Sequence, residues 1–439
     1  MQFAVNANTN HEQEFPMNNN AGKSYLSIII PIALLITGNL IGAGILGLPV
    51  NTGIDGFFPS LLAMLIFGGA MLYSATILGR EAVETRNETF NYPSLYRNYL
   101  GSTGKWIAIF ANMIILYGLL TAYLTGATTI VAHLLNMKGS TSLILLLIFV
   151  IFTGMAVLGL KIIEKYNIIL IVLMWGSFAV IVFMGEHYVE PIRLLHSDWA
   201  FLPVAVPIIV TSFHFHNIIP NVCSSLKWDM KKIFIAMLTG MLIGYVMNAI
   251  WIQVGVGALP LNESDNSIIY AFQHNLPATV PLSNVIRSPV FISCSMLFAL
   301  LAIITSYVTN GLGLRSFNRD LVENIFRKSS PALVFLITFG PPFAISYLFS
   351  DIFLKSIDIV GGVGIVILFG VLPSIIAYIK SKSNAMRGLA LFIFFLFTSV
   401  FLFQLGEQFG IIKLTPKAAH VEHNMKETHK IISKPFQTK

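Results

Sequence analysis

Apolar residues along this chain are grouped in eleven long blocks, and short polar stretches separate the blocks from one another. Most blocks reach the roughly 20 residues that a helix needs to cross a hydrocarbon core of about 30 Å. The pattern therefore predicts eleven membrane-spanning helices with no soluble domain between them. The predicted segments are residues 26–50, 57–79, 106–135, 141–160, 166–184, 201–223, 233–258, 289–314, 332–350, 357–379 and 388–410.

Loops rich in lysine and arginine alternate along the chain with loops that contain few of them. With the amino terminus inside, seventeen basic residues fall on the inner side, and the outer loops hold only Lys138, Arg193, Arg287 and Lys355. Because basic residues accumulate in cytoplasmic loops, this bias predicts a cytoplasmic amino terminus. Eleven crossings then place the carboxyl terminus outside, although its tail carries six lysines. Either the charge rule weakens at a terminal tail or one crossing is miscounted, and the lack of a twelfth apolar run favours the first.

The two ends of the chain differ in composition from the apolar blocks. Residues 1–24 are polar and rich in asparagine, and they lack the apolar region and cleavage site of a signal peptide. We therefore predict a disordered cytoplasmic tail at 1–24, a transmembrane domain at 25–412 and a polar carboxyl-terminal tail at 413–439.

The overall composition agrees with a membrane protein and excludes other classes. Hydrophobic residues make up 55% of the chain and charged residues 11%, and the mean hydropathy is +0.76, whereas soluble domains carry about 25% charged residues. The net charge of +7 is spread over short loops, so it indicates membrane topology rather than nucleic-acid binding. Cys223 and Cys294 are too few for a disulfide framework, and no metal-ligand spacing surrounds either of them.

The first segment contains a run of glycines at mid-membrane depth. It places Gly38, Gly42, Gly44 and Gly47 within ten residues, and each glycine costs a helix up to about 1 kcal/mol relative to alanine. A break there would expose half-helix ends, whose N–H groups can bind a carboxylate and whose carbonyls can bind an ammonium group or a cation. Close helix packing through Gly38 and Gly42, which are four residues apart, is the structural alternative.

The sixth segment carries a second candidate break. Pro203, Pro207 and Pro220 flank a polar stretch at 211–216 that contains two histidines, and proline interrupts helical hydrogen bonding. Segments one and six are the corresponding members of two five-helix halves, segments one to five and six to ten. Paired interruptions at equivalent places in inverted halves indicate a substrate site near the middle of the membrane. The pattern therefore favours a secondary transporter.

These runs resemble the signatures of a known family. Gly-x-x-Ile-Gly-Ala-Gly-Ile-Leu-Gly-Leu-Pro at 38–49 and Thr-Ser-Phe-x-Phe-His-x-x-x-Pro at 211–220 are similar to first-helix and sixth-helix motifs of the hydroxy and aromatic amino acid permease family. That family comprises bacterial tyrosine and tryptophan permeases and belongs to the amino acid–polyamine–organocation superfamily. A third match is Thr305-Ser306-Tyr307, followed by Gly-Leu-Gly-Leu at 311–314.

The resemblance implies an all-α polytopic fold like that of the leucine transporter, with two inverted five-helix repeats and one extra helix. It also implies that helices one and six are discontinuous and that an ion gradient drives import of an amino acid. One departure from the family pattern is His214, at a position where we expect glycine.

Residues at the two breaks are the candidates for substrate binding. We expect the backbone of the first break to bind the α-carboxylate and the groups of the second break to face the rest of the ligand. The candidate set is Asn39, Gly42, Ala43, Gly44, Ser212, Phe213 and His214. Asn39 can equally cap a broken helix.

Two further pairs are candidates for ion coupling. His214 and His216 suit a proton relay because histidine titrates near neutrality, although a buried histidine is often only a hydrogen-bonded structural residue. The resemblance implies that Thr305 and Ser306 join carbonyls of helix one around sodium. Hydroxyls in membrane helices also bond to the preceding turn of their own helix, which is the alternative.

Together these patterns favour a symporter of the inner cell membrane that imports aromatic or other neutral amino acids with protons. The expected partners are the amino acid, H⁺ or Na⁺ and the lipid bilayer, with no cofactor and no metal. The sequence contains no Gly-x-Ser-x-Gly, His-Glu-x-x-His or phosphate-binding loop, so an enzyme is not expected. A Na⁺-coupled transporter of neutral or hydroxy amino acids and a non-transporting sensor stay open as alternatives, and the sequence does not fix the substrate or the oligomeric state.

Overall fold

The computed structural model of the protein describes residues 25–86, 91–135, 137–158, 160–262, 264–327, 330–414 and 416. Within these ranges the regular secondary structure is helical throughout. The predicted tail at 1–24 and most of the predicted tail at 413–439 lie outside the described residues.

The helices of the amino-terminal half are α1 Tyr25–Leu40, α2 Ala43–Gly53, α3 Phe57–Thr85, α4 Tyr92–Leu134, α5 Thr141–Leu158, α6 Leu160–Glu186, α7 Pro191–Leu194, α8 Leu202–Ser212 and α9 Ile219–Ser225. Those of the carboxyl-terminal half are α10 Met230–Ala258, α11 Ile268–Gln273, α12 Thr279–Ile286, α13 Pro289–Phe326, α14 Pro331–Leu348, α15 Phe353–Ile359, α16 Leu372–Lys380 and α17 Asn384–Gln408. A π-helix, Val360–Val371, joins α15 to α16.

Helices in the described part of the chain coincide with all eleven predicted segments. Eight of the helical segments found there are long and apolar enough to cross a membrane, and α1 with α2 forms a ninth that is bent by 60°. The remaining two are shorter apolar helices, Thr141–Val157 and Val172–Glu186. The all-helical membrane fold is therefore confirmed, whereas the number of crossings and the inverted repeat stay predictions.

Two helices extend much further than the apolar pattern predicts. The helix of the third segment begins at Tyr92 rather than near residue 106, and α13 continues to Phe326 rather than ending near 314. Both extensions carry charged residues, which hydropathy excludes from a spanning segment although they are compatible with a helix outside the membrane. Within α4, Gly101 adopts non-helical angles (φ 66°, ψ −154°) and separates the polar first turns from the apolar part.

Loops that the charge pattern assigns to one side meet at one end of the bundle. At the predicted outer end, the Asp198 N–H donates to the Asp55 carbonyl at 2.8 Å, and the Ala278 N–H donates to the Leu46 carbonyl at 2.8 Å. His196 lies in the same region, with its Nε2 2.8 Å from the Ile54 carbonyl oxygen, and burial lowers the pKa of its imidazole. At the predicted inner end, Lys380 pairs with Glu81. The grouping agrees with the predicted alternation of the loops.

The interrupted helices lie at the centre of the bundle. In the most apolar windows of the Leu202–Ser225 and Phe353–Lys380 segments, 72% of residues are buried, against 28% for α14 and for α17. The α2 helix packs between α8 and α10, and the indole Nε1 of fully buried Trp251 on α10 donates to the Ile45 carbonyl at 2.8 Å. Both breaks are therefore enclosed by protein, where their backbone groups can find polar partners.

Candidate functional site

The first helix is interrupted at Ile41 and Gly42, between α1 and α2. Gly42 has φ −129° and ψ −148°, and its N–H donates to the Leu40 carbonyl at 3.2 Å, a local bond that does not continue the helix. The first N–H groups of α2 and the last carbonyls of α1 have no partner within their own helices. The predicted break within 38–44 is thus present in the structure.

The sixth predicted segment is interrupted in the same way. The α8 helix ends at Ser212, Phe213 to Phe215 are non-helical, and a 3₁₀ turn over His216–Ile218 leads into α9. Pro220 lies in the first turn of α9, where its missing N–H costs no helical bond. The predicted break within 211–216 is also present.

The two breaks are in direct contact. A Cβ added to Gly44 would lie 2.9 Å from the Ser212 Oγ and 3.2 Å from the Ser212 N, so the lack of a side chain at 44 sets this approach. Ser212 is fully buried, and its hydroxyl donates to the Ile208 carbonyl at 2.9 Å within α8. The amino-terminal end of α2, which carries partial positive charge, therefore lies beside the carboxyl-terminal end of α8, which carries partial negative charge.

Side chains of α4 and α13 also lie beside the first break. A Cβ on Gly42 would lie 3.6 Å from the Ser306 Oγ and 3.8 Å from the Tyr123 hydroxyl oxygen. The Asn310 Nδ2 lies 3.3 Å from that hydroxyl oxygen and donates to the Ser306 carbonyl at 2.9 Å. Tyr123 and Asn310 were not among the sequence candidates. The one signal for them is that both are polar residues inside apolar segments, with Asn310 four residues after Ser306.

His214 and His216 form a second group, around Phe369 of the π-helix. Their rings are parallel to within 2° at 5.9 Å, and the Phe369 ring lies 5.0 Å from His214 and 4.9 Å from His216. Among the described residues, the buried His214 Nε2 has no hydrogen-bond partner. The Tyr92 hydroxyl donates to the His216 carbonyl. The unwound turn therefore brings both histidine rings against Phe369.

Phe213 and Thr305, two further sequence candidates, make contacts other than the one between the breaks. The Phe213 ring packs on α3, where a Cβ on Gly68 would lie 3.3 Å from it. The Thr305 hydroxyl donates to the Leu301 carbonyl of its own helix at 2.7 Å. Asn39 is partly buried in the last turn of α1, and the side chain of Ala43 lies outside the described residues. The structure thus joins Gly42, Gly44, Ser212 and Ser306 in one group.

A bundle of apolar helices with two central interruptions defines a multi-pass membrane protein of the transporter class. The chain belongs to the tryptophan/tyrosine permease family, whose family model matches residues 27–404. The resemblance drawn from the helix-one and helix-six motifs is thereby confirmed. The family consists of permeases, so the expectation that this protein is not an enzyme is confirmed too.

This chain aligns with several transport proteins over most of the length of each. Tyrosine-specific transport system 1 of Haemophilus influenzae is 28% identical over 75% of this chain and 82% of the relative. Low affinity tryptophan permease of Escherichia coli is 24% identical over 80% of this chain and 86% of the relative. Glutamine transporter 2 of Aliivibrio fischeri is 24% identical over 77% of this chain and 84% of the relative.

Proposed function

We propose that this protein is a secondary transporter that imports tyrosine, tryptophan or another neutral amino acid by alternating access, driven by protons. The observation that carries the proposal is the contact of the two helix breaks at Gly44 and Ser212. Two relatives are named for tyrosine and tryptophan transport, which supports an aromatic substrate. A relative named for glutamine supports the broader alternative of a neutral amino acid.

The two helix ends carry partial charges that are complementary to the charged groups of a zwitterionic amino acid. The N–H groups at the start of α2, over Gly42, Ala43 and Gly44, bind the α-carboxylate, because the helix dipole is positive there. The carbonyls at the end of α8, near Ser212, favour the α-ammonium group for the opposite reason. The backbone after Ser212, at Phe213 and His214, faces the rest of the ligand, and Asn39 is the side-chain candidate from α1.

The architecture proposed for this activity has eleven crossings. Segments one to five and six to ten form two inverted halves, with α17 as the extra helix outside them, and the transporter domain occupies 25–412. The low burial of α17 supports its place at the periphery. The charge of the loops supports a cytoplasmic amino terminus, an external carboxyl terminus and insertion in the inner cell membrane.

The substrate and the driving ion are tested in proteoliposomes that contain the purified protein. Labelled tyrosine, tryptophan, glutamine and leucine are offered in turn, with a pH gradient and a sodium gradient imposed separately. We expect accumulation of an aromatic amino acid with the pH gradient, interior alkaline, and none with sodium alone. If neither gradient drives accumulation of any amino acid, the symporter proposal fails, and binding without uptake would favour a sensor.

The histidine pair is tested as a proton relay by the same assay. His214→Gln and His216→Gln each keep a hydrogen-bonding side chain but remove titration near neutrality. A relay role predicts that uptake loses its dependence on external pH in at least one variant. An unchanged pH profile in both variants removes the pair as relays and leaves them as a packed group on Phe369.

A further inference from the structure

A carboxyl group and an amide pair across the outer ends of two central helices. The Asn51 Nδ2 on α2 donates to the Asp358 Oδ1 on α15 at 2.9 Å. Asn51 is 1% exposed, whereas Asp358 keeps partial exposure. The bond joins the outer half of the broken first helix to the helix that leads into the π-helix.

If Asp358 is an ionised carboxylate, one atom of this pair has no hydrogen-bond partner. The Asn51 Oδ1 is buried and has no hydrogen-bond partner among the described residues, and a buried acceptor without a donor is costly. A carboxylate has no proton to donate to it, whereas a protonated carboxyl group has one. A protonated Asp358 would complete a cyclic acid–amide pair, in which each residue donates one hydrogen bond and accepts one.

The charged neighbours of Asp358 are Glu407 of α17 and, one turn earlier on α15, Lys355. Glu407 of α17 lies close enough to act on Asp358 electrostatically, and Lys355 acts on Glu407. Gln404, one turn before Glu407, is fully buried against Gly362, with no partner for either side-chain atom in the described part of the chain. An ionised Asp358 at this place would have one amide donor and one acidic neighbour, which is unfavourable in a low-dielectric site.

Within the described residues, the other elements packed on α15 are α2, α8, the π-helix and α4, together with the loop at Asn275, whose Oδ1 accepts a hydrogen bond from the Lys355 N–H. The sequences of α2, α8 and the π-helix contain no titratable group. On α4, Tyr96 donates to the Leu368 carbonyl, Tyr117 donates to the Ile337 carbonyl, and the Tyr123 hydroxyl lies at Asn310. The imidazole of His133, near the outer end of α4, is engaged with Asn284, whose Oδ1 lies 3.0 Å from the His133 Nε2. Protonation of the pair is therefore a property of Asp358 with Glu407 and Lys355 as its charged neighbours.

We propose that Asp358 is a proton-binding site and that the protonated acid–amide pair with Asn51 holds α2 against α15. The proton comes from the aqueous phase that reaches the partly exposed Asp358 and binds to the free carboxyl oxygen. Its loss returns the proton to water and leaves a carboxylate that cannot donate to Asn51, which favours separation of α2 from α15. The site deepens the proposed function, on which the transport readout below rests, because it links proton binding to the position of the half-helix that forms the substrate site.

Infrared difference spectra between acid and alkaline pH test the site without any transport. Several carboxyl groups contribute C=O bands between these pH values, and we expect one component that disappears in Asp358→Asn but persists in Glu407→Gln and in Asp55→Asn. In Asn51→Leu that component shifts, because the acid loses its amide partner. Identical carboxylic-acid regions in the wild type and in Asp358→Asn, or loss of the same component in Glu407→Gln instead, overturn the proposal.

Exchange of labelled substrate in proteoliposomes without any ion gradient gives the second measurement. Wild-type exchange is expected to slow above the titration of Asp358, by up to about tenfold per pH unit, the limit for a single titrating group. Asp358→Asn keeps both hydrogen bonds as an amide–amide pair, so its exchange should continue without that pH dependence. A pH dependence retained in full by Asp358→Asn contradicts the linkage. A wild-type protein that exchanges no amino acid contradicts the proposed function instead, while the infrared band still decides the site.

Discussion

Gly44 determines how closely the two interrupted helices approach, because the backbone of Ser212 occupies the space that a side chain at 44 would need. A methyl group there has to displace the end of α8 as well as the Ser212 hydroxyl. The displacement would separate the N–H groups of α2 from the carbonyls of α8, which the proposed site requires together.

Gly44→Ala is therefore expected to lower the initial rate of amino-acid uptake by about tenfold or more, since errors of about 1 Å in positioning can cost on the order of 100-fold. Gly69→Ala is the matched control, because a Cβ on Gly69 of α3 would have no other atom within 4 Å. Uptake and thermal unfolding are measured for both variants in the same preparation. Equal uptake by the two variants would contradict the proposed role of the contact.

Two adjacent residues of α13, Thr305 and Ser306, carry hydroxyl groups with different partners. Ser306 faces Gly42 at the first break, whereas the hydroxyl of Thr305 is bonded to its own helix. Ser306→Ala is expected to reduce uptake several-fold, and Thr305→Val, which keeps the shape of the side chain, much less. If the sodium alternative holds, Ser306→Ala also raises the sodium concentration needed for half-maximal uptake. The opposite order of effects would place the functional hydroxyl at Thr305.

Residue types predicted the two breaks, but not the partners that surround them. Runs of glycine and proline are local features, and their effect on a helix follows from the backbone alone. Tyr123 and Asn310 approach Gly42 only because α4 and α13 pack against α2, which no local pattern encodes. Asn51 and Asp358 are separated by most of the chain, so their pairing also required the structure.

At the scale of elements, the inner end of the bundle is held together by a charged cluster. The Lys380 Nζ at the end of α16 lies 2.7 Å from the Glu81 Oε1 and 2.6 Å from the Glu84 Oε2 of α3. The Tyr99 hydroxyl of α4 donates to the Glu81 Oε2 at 2.7 Å. The consecutive helices α3 and α4 and the distant α16 are thus joined at one buried carboxylate.

Lys380→Met is expected to lower the thermal unfolding temperature, because it leaves the 4%-exposed Glu81 without its cation. The cost should lie between the 0–1 kcal/mol that is typical of exposed pairs and the roughly 3–5 kcal/mol of a broken buried pair. Glu84→Gln removes the exposed partner and serves as the control, with an expected cost below about 1 kcal/mol. Unfolding in detergent measures both variants, and a larger effect of Glu84→Gln would show that Glu81 is not the central partner.

Element boundaries were predictable where the membrane sets them and not elsewhere. Apolar blocks end where water begins, so the spanning part of each helix follows from composition. The polar first turns of α4 and the last turns of α13 are helical outside that limit, and hydropathy does not detect them. The π-helix at Val360–Val371 was not predicted either; its Gly361 lies against the Pro207 carbonyl and the Thr211 hydroxyl of α8, a tertiary contact.

At the scale of the whole molecule, burial separates a core from a periphery. The α2 half of the first interrupted helix, the Leu202–Ser225 segment and the Phe353–Lys380 segment are mostly buried, whereas most residues of α14 and α17 are not. Large apolar side chains on α17, such as Phe392 and Phe395, are more than half exposed. Exposed apolar residues of this kind are stable against lipid and unfavourable against water, so the outer surface of the bundle agrees with a multi-pass membrane protein.

The predicted eleven crossings assign each loop to one side of the membrane, and labelling of single cysteines can test this assignment. The two natural cysteines, Cys223 and Cys294, are first replaced by alanine, and one cysteine is then introduced at a loop position. Lys227→Cys, between α9 and α10, should react with a membrane-impermeant maleimide only after the cells are opened. Asn262→Cys, in the loop after α10, should react in intact cells, because it lies one crossing further along the chain.

The carboxyl-terminal tail decides whether the number of crossings is odd. Its six lysines favour the inside by the charge rule, whereas eleven crossings from a cytoplasmic amino terminus place it outside. Lys430→Cys should therefore be labelled in intact cells, like Asn262→Cys and unlike Lys227→Cys. The physical reason is that the side of a loop or tail is set by the orientation of the helix that precedes it. Labelling of Lys430→Cys only in opened cells would show that one predicted segment does not cross the membrane, and the short apolar helices α5 and α6 would be the first to re-examine in the same way.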